Sequence, residues 1–530
     1  MPKIRVFETD NTGSSPVEDL AVVFVAGEIA IALDENDVSK EDANHCIYIP
    51  STATVLSDYL KDVDFDSKYE VAEEALNPET STLTSAGGLF MDTAHMIQVL
   101  IGLGYGVIYL DASSYSYTEY SYTQSGVNEE DFPTPNTSYY KLNEDGVTYE
   151  LATEYTVPLF IRNEVATYTG IDAMAYIDEA FDFLNDKNAY DIKFITFGNH
   201  CAVKASLNSS VATGQGTTKF GFDFRLLNNV LPVCGERKDC SVLVDVNYYS
   251  TVTTSSGTVP ADVAGTSMAT FTEGNAFVTD FKTAVECSGV ADNYKLAKFV
   301  SGEGTSQIEV SSRAYALLPN ATFAYSVGSA QYTLIVPSSL IYLNQYSQAN
   351  RRTTTWLPIT GVARGVVEGT FTPDLSISKY LMDNSIIEDG SGVSFNAVVT
   401  VRPYGNTIWG DRTLIEQEES RSVQATSYFS LRNLVSDVAK TAYNSAIKYT
   451  YETNNDITWF NFKQDITILL DQVVSSGVLQ SYTVKRGTTD SRNTMVAIIT
   501  LYPVLPVENF SIFINLENAE VITTSDDTTI

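Results

Sequence analysis

Ser267 is the first residue in this chain that could do chemistry. It sits in Gly265-Thr266-Ser267-Met268-Ala269. A serine nucleophile needs a histidine within hydrogen-bond reach to take its proton, and an aspartate to orient that histidine. The chain has 3 histidines, in Asn44-His45-Cys46, Ala94-His95-Met96 and Asn199-His200-Cys201. Each reads as a structural residue, buried or at the surface. The 5 cysteines (Cys46, Cys201, Cys234, Cys240, Cys287) form an odd set without framework spacing, so reduced, mostly buried thiols are expected. Cys234 and Cys240, with His200-Cys201, could be read as metal ligands, but the spacing fits no common zinc pattern. There is no P-loop, no GxGxxG after a strand and no HExxH, and the acidic run Asp62 to Asp66 lacks the Gly and terminal Glu of a calcium loop. No catalytic, cofactor-binding or metal-ligating residue is therefore expected.

Composition narrows the class further. At 530 residues, with 44% hydrophobic and 18% charged residues, the chain is long enough for two to four domains with real cores. The net charge of −34 argues against nucleic-acid binding, which needs a basic surface. Residues 1–160 hold 28 Asp and Glu against 6 Lys and Arg, a net of −22, which leaves −12 for the remaining 370 residues. A solvated acidic surface and an outward-facing part of an assembly both fit that asymmetry. No apolar run is long enough to cross a membrane, and Met1-Pro2-Lys3-Ile4-Arg5 does not open a signal peptide, so a cytoplasmic start and no direct membrane insertion are expected. Sequons such as Asn320-Ala321-Thr322 carry no meaning without secretion.

The elements that would position any site alternate along the chain. Residues 1–20 read as an extended arm. Between 21 and 111, Ala21 to Gly27, Ile47 to Pro50 and Val107 to Leu110 read as strands, Ala53 to Leu60 is helix-like, and Gly87 to Leu103 reads as a helix. Residues 112–157 interleave Tyr115, Tyr117, Tyr120 and Tyr122 with Ser and Thr, which suits a β-rich surface insertion; an aromatic sugar-binding surface is the functional alternative. Residues 158–370 return to an α/β pattern. A helix face runs from Ile171 to Leu184, strands from Ile192 to Phe197, Val242 to Val246 and Ala314 to Leu318, and helix-like residues from Asn275 to Val285. In 371–509, Leu431, Leu434, Val435, Val438 and Ala442 line one helix, and Trp459, Phe462, Ile466, Leu470 and Val473 another that stops near Gly477. Strands at Tyr482 to Lys485 and Val496 to Leu501 follow. In 510–530, Phe510, Ile512, Ile514 and Leu516 alternate with Ser511, Asn515 and Glu517, only Phe513 breaking the pattern, before a polar tail.

One stretch ties these elements to a family. Gly405, Trp409, Gly410, Arg412, Thr413 and Leu414 fall on the glycine-rich segment that precedes a long helix in contractile tail sheath proteins, and the chain resembles that family. Further points of resemblance are Ala21 to Gly27, Arg237-Lys238-Asp239 before a strand, Trp356 to Gly365, and Pro503, Pro506 and Glu508. The likeness is strong after about residue 355 and weak within 112–157 and 202–330. It implies an α/β and α+β multidomain fold: a subtilisin-like α/β middle region without an active site, an α+β C-terminal sheath core, and extended terminal arms. It implies stacked hexameric rings of the chain around a tail tube protein, contacts with baseplate and tail terminator proteins, no cofactor, and a place in a virion assembled in a host cytoplasm. A bacteriocin-like or other injection apparatus is the alternative. Arm strands Ile4 and Val6 at one end, and Phe510, Ile512, Ile514 and Leu516 at the other, would be exchanged between subunits. The pentapeptide around Ser267 resembles the nucleophile segment of subtilisin-like proteases. Yet no histidine is followed by glycine, and Phe271 stands where those proteases have proline. A relic, a coincidence or a helix start capped by Thr266 or Ser267 are the readings left for it, with an active hydrolase as the alternative of another class.

Overall fold

The computed structural model describes residues 21–26, 46–60, 93–111, 140–142, 149–151, 184, 191–197, 203–207, 220–245, 251–254, 257–260, 281–282, 296–301, 307–318, 321–327, 330–351, 355–367, 382, 392–417, 424–488 and 493–506. Ile4, Val6, His45, His200, Ser267, Phe510, Ile512, Ile514 and Leu516 lie outside them, as does the helix face from Ile171 to Phe181.

An 8-stranded sheet organises the chain. Its strands are β1 (Ala21–Ala26), β2 (Cys46–Ile49), β3 (Val107–Asp111), β4 (Ile192–Thr196), β5 (Ser241–Val244), β6 (Ala314–Leu318), β7 (Asn396–Val401) and β8 (Gly405–Trp409). They lie in the order β8-β7-β6-β5-β4-β1-β3-β2. The neighbours from β7 through to β3 pair parallel, and the edge strands β8 and β2 pair antiparallel. Every residue of β4, β5 and β6 is buried. That is the signature of parallel strands covered on both faces; it explains why β5 and β6 read as near-continuous apolar runs rather than alternating ones, while β4 also buries Lys193 and Thr196.

Helix α1 (Thr93–Gly102) leads into β3, α2 (Arg225–Arg237) leads into β5, and α3 (Ser338–Arg351) lies between β6 and β7. Met96, Ile97 and Leu100 of α1 join Leu340, Ile341 and Leu343 of α3 over Phe194, Leu243 and Tyr315 of the sheet in one core. Phe222, Phe224, Phe281 and Phe395 form a second aromatic group, with ring centroids 5.4–6.5 Å apart. Each large side chain fully buried this way stabilises the fold by about 1.5–3 kcal/mol. The helix-like reading of Ala53 to Leu60 is corrected: only Leu56–Asp58 forms a 3-10 turn, without a side-chain cap at Val55. β-Branched Thr52, Thr54 and Val55 hold the stretch back from a helix. Within the Tyr-rich segment, Tyr140–Leu142 pairs antiparallel with Tyr149–Leu151.

The C-terminal elements are α4 (Phe429–Tyr449), α5 (Asp456–Ser475), β9 (Leu479–Arg486) and β10 (Ala497–Pro503). Leu431, Leu434 and Val438 of α4 meet Phe462, Ile466, Leu470 and Val473 of α5, with Leu479 and Val484 of β9 closing the cluster. The Asn455 side chain accepts from the N–H groups of Ile457 and Thr458, 3.0 and 2.9 Å away, and so caps α5. Gly477, with φ +80°, releases the chain from α5 into β9. The strands β7 and β8, which precede this part in the chain, are the last strands of the central sheet.

Candidate functional site

The motif residues come together at a joint between the sheet edge and the start of α4. Gly405 turns the chain from β7 into β8 with φ +93°, and a side chain there would meet open space. Gly410 differs. It has φ +102°, and a Cβ at this position would stand 2.7 Å from Asn396 Oδ1. Only glycine lets the backbone pass Asn396 this closely. Asn396 then uses all of its amide: its Oδ1 accepts from Arg412 N at 2.7 Å, and its Nδ2 donates to Arg412 O and to Ala316 O at 2.7 and 2.9 Å. One buried side chain therefore fixes the motif to β6.

The residues after Gly410 grip α4. Asp411 accepts from the backbone N–H of Ser430 at 3.1 Å and from its hydroxyl, while the Asp411 carbonyl accepts from Phe429 N at 2.8 Å. A carboxylate here satisfies free N–H groups of the first helical turn and favours the positive end of the helix. The Arg412 guanidinium, buried, lies 4.3 Å from the centre of the Tyr428 ring. Thr413 donates its N–H to Ser427 O at 2.9 Å and its hydroxyl to Thr426 O at 3.1 Å. Leu414 is fully buried and donates its N–H to Ala314 O at 3.0 Å. Trp409, half-buried, ends β8. Phe429, the first residue of α4, stacks on Tyr315 of β6 with centroids 4.5 Å apart.

Beyond its first turn, α4 meets the sheet through polar groups. Asn433 lies 3.4 Å from the Ser241 hydroxyl, Asp437 pairs with Lys193 of β4, and Lys440 pairs with Asp191. Asp437 also accepts from Trp356 Nε1 at 2.9 Å, which fastens the Trp356-to-Gly365 segment to the same helix. Lys193 is only 3% exposed, so its charge is compensated by this contact inside the protein. Arg237 and Asp239 form a bidentate pair at 3.0 Å, and Arg237 donates to Leu184 O. Sequence reasoning found the motif and Trp356 but missed Asn396, Asp437 and Lys193. Their partners lie 16 to 244 residues away in the chain, and no local spacing signals them.

A second polar cluster sits at the carboxyl ends of β4 and β5. Asp245 accepts from Ser339 N at 2.9 Å and from Ser339 Oγ at 2.5 Å, and Thr196 donates to Ser339 Oγ at 2.8 Å. The carboxylate closes the N-terminus of α3. Burial pushes its pKa up to about 7, against the hydrogen bonds from Ser339, which lower it. Among the described residues, Asp245 and Ser339 act as a helix cap: the carboxylate holds the first turn of α3. His95 is buried within α1. Among the described residues no cluster of three or more His, Cys, Asp or Glu could hold a metal ion, and no helix is long and apolar enough to cross a membrane.

No protein-family model matches the chain, and no curated protein matches it. Solved structures do. A chain of the anti-feeding prophage baseplate in its contracted state is 13% identical, with 98% of each chain covered and a TM-score of 0.49. A chain of the sheath complex of an extracellular contractile injection system, in its contracted state, is 12% identical over 98% of each chain, with a TM-score of 0.43. A sheath tail protein from Desulfitobacterium hafniense is 10% identical, over 95% of this chain and all of its own, with a TM-score of 0.35. These are likenesses of chain arrangement at low identity. Over nearly its whole length the chain is similar to chains of contractile injection systems, a sheath complex and a sheath tail protein among them.

Proposed function

We propose that this chain is a subunit of a contractile sheath, a structural protein that polymerises with its own copies around a tube and shortens to drive the tube outward. The observation that carries the reading is the joint itself. Gly410, Arg412, Thr413 and Leu414 of the sheath-type motif each have a distinct part in fastening α4 to the sheet. Such a joint lets the sheet body and the C-terminal helices move as one piece. The work of contraction then comes from repacking the surfaces between subunits, a switch between two packings. It needs no reaction, so the protein is read as a non-enzyme, and the residues around Ser267 have no part in it.

The finer reading follows the same mechanics. Subunits stack as hexameric rings, bind the tail tube protein inside, and meet baseplate and tail terminator proteins at the ends. The assembly forms in a host cytoplasm and becomes part of a virion, with a bacteriocin-like or other injection apparatus as the alternative. The sheet region from 158 to 370 serves as an inactive subtilisin-like body. Ile4 and Val6 of one subunit, and Phe510, Ile512, Ile514 and Leu516 of another, add strands to a neighbour's sheet, and the main-chain bonds gained hold the mesh during contraction. Supporting self-association, Ile457, Phe460 and Ile468 of α5 are exposed by 71, 62 and 57% in the single chain.

Negative-stain microscopy of the purified full chain tests this. Tubes or stacked rings are expected, and a protein that stays monomeric at high concentration, with or without tube protein, overturns the reading. Removal of residues 1–8 is expected to leave the circular dichroism unchanged and to abolish polymers. Normal tubes from that truncation would sink the N-terminal arm.

A further inference from the structure

Two cysteines meet where α2 hands the chain to β5. Cys234 lies in the last turn of α2, and Cys240 directly precedes β5. Between them Lys238 takes φ +66°, a left-handed cap whose N–H donates to Cys234 O at 3.0 Å. That reversal folds the chain back on itself and brings the two sulfurs to 3.5 Å, both fully buried. We propose that Cys234 and Cys240 are a built dithiol that closes to an intramolecular disulfide when the protein meets a low-molecular-weight disulfide, stapling the end of α2 to the head of β5.

The surroundings favour the reaction. Arg313, buried, donates from Nη1 to Cys240 O at 3.1 Å, and Arg237 lies three residues from each cysteine. The sulfur–sulfur contact with Cys234 holds the Cys240 thiol below its usual range, the nearby guanidiniums adding to this against the opposing effects of burial and Asp239. Burial pushes the Cys234 thiol up. Cys240, whose carbonyl holds the buried Arg313 guanidinium, is assigned as the attacking sulfur and Cys234 as the resolving one. A cavity of about 210 Å³ borders the turn between them, lined by Arg237, Lys238 and Asp239 with Asp191, Lys440 and Tyr443. The thiols themselves become accessible through local opening of that turn.

The electrons balance by thiol–disulfide exchange. The Cys240 thiolate attacks one sulfur of R–S–S–R, breaking the S–S bond and releasing one RS⁻. Cys234 then loses its proton to solvent and attacks the Cys240 sulfur of the mixed disulfide, releasing the second RS⁻. The protein is oxidised by two electrons, and the reagent is reduced to two thiols.

The test uses the full-length native protein with glutathione disulfide as the reagent, followed by denaturation, alkylation and tryptic digestion. Cleavage after Arg225, Arg237, Lys238 and Lys282 separates the two cysteines into peptides 226–237 and 239–282, neither of which holds another cysteine. The expected result is a disulfide-linked pair of these two peptides and the loss of two of the five alkylatable thiols. The same treatment in denaturant is the control, in which this pairing falls to one among several. Recovery of both peptides separately with alkylated cysteines overturns the proposal. So does glutathione retained on either one, or a link from either to Cys46, Cys201 or Cys287. Substitution Cys234→Ser is expected to leave glutathione on Cys240, and an unmodified Cys240 in that variant argues against its role as the attacking sulfur.

Discussion

The sheet body and the C-terminal helical unit solve burial in different ways. Strands β4, β5 and β6 are covered on both faces, and the helices around them close the core. In the C-terminal unit, α5 and the β9–β10 hairpin cover one side only. Tyr451 is 103% exposed, and Ile457, Phe460, Ile468, Ile498, Tyr502, Val504 and Leu505 are all at least 45% exposed. The body holds itself up by apolar packing. The helical unit is held to the body at a polar and aromatic joint and leaves apolar surface outward. The two regions should therefore fail in different ways: the joint through unpaired polar groups and backbone clashes, the outer face through association.

The largest effect is expected where the joint holds a buried charge. Asp437→Ala strands the Lys193 ammonium, so stability should fall by roughly 3–5 kcal/mol in urea unfolding. Replacing both residues with apolar ones of similar size should recover much of that loss. A double variant no more stable than Asp437→Ala alone would show that α4 is held some other way.

Asp245 tests the body rather than the joint. Its pKa is about 7 in the folded protein against 3.8 for an ordinary aspartate. Between those values the folded state keeps a proton that the unfolded chain has released. The group's contribution is therefore full below about pH 4 and lost as pH rises to 7, by an amount on the order of a few kcal/mol. Asp245→Asn should flatten the fall in stability across that window relative to the parent protein. Parallel pH profiles for the two proteins would refute the shift.

Gly410→Ala and Gly405→Ala separate strain from clash. Both glycines have positive φ, but only Gly410 faces an atom 2.7 Å from its would-be Cβ. Gly405→Ala should cost about 1 kcal/mol from backbone strain, and Gly410→Ala clearly more, roughly 2–3 kcal/mol. Equal losses would mean that Asn396 moves aside freely. The α5 cap has an effect as small as that of Gly405: Asn455→Ala should cost about 1 kcal/mol, read as a small drop in the melting temperature.

Much of the fold was legible in the sequence because it rests on local pattern. The largely apolar stretches at Ile192 to Phe197 and Ala314 to Leu318 are strands, and the three- and four-residue spacing from Leu431 to Ala442 is a helix face. The motif from Gly405 to Leu414 was visible as a set of residue types. Its task was not. The amide of Asn396, the carboxylate of Asp411 on Ser430 and the Lys193–Asp437 pair join residues that lie far apart in the chain, and hydrogen bonding depends on position in space, not on spacing. The sequence by itself determined most of the strands and long helices, and marked Gly410 as part of a motif. Only the tertiary structure decided that β7 and β8 close the same sheet as β1, that α4 is clamped at its start, and that Cys234 and Cys240 face each other. Each of these depends on how parallel strands order themselves and how the chain reverses between elements, and local periodicity carries no record of either.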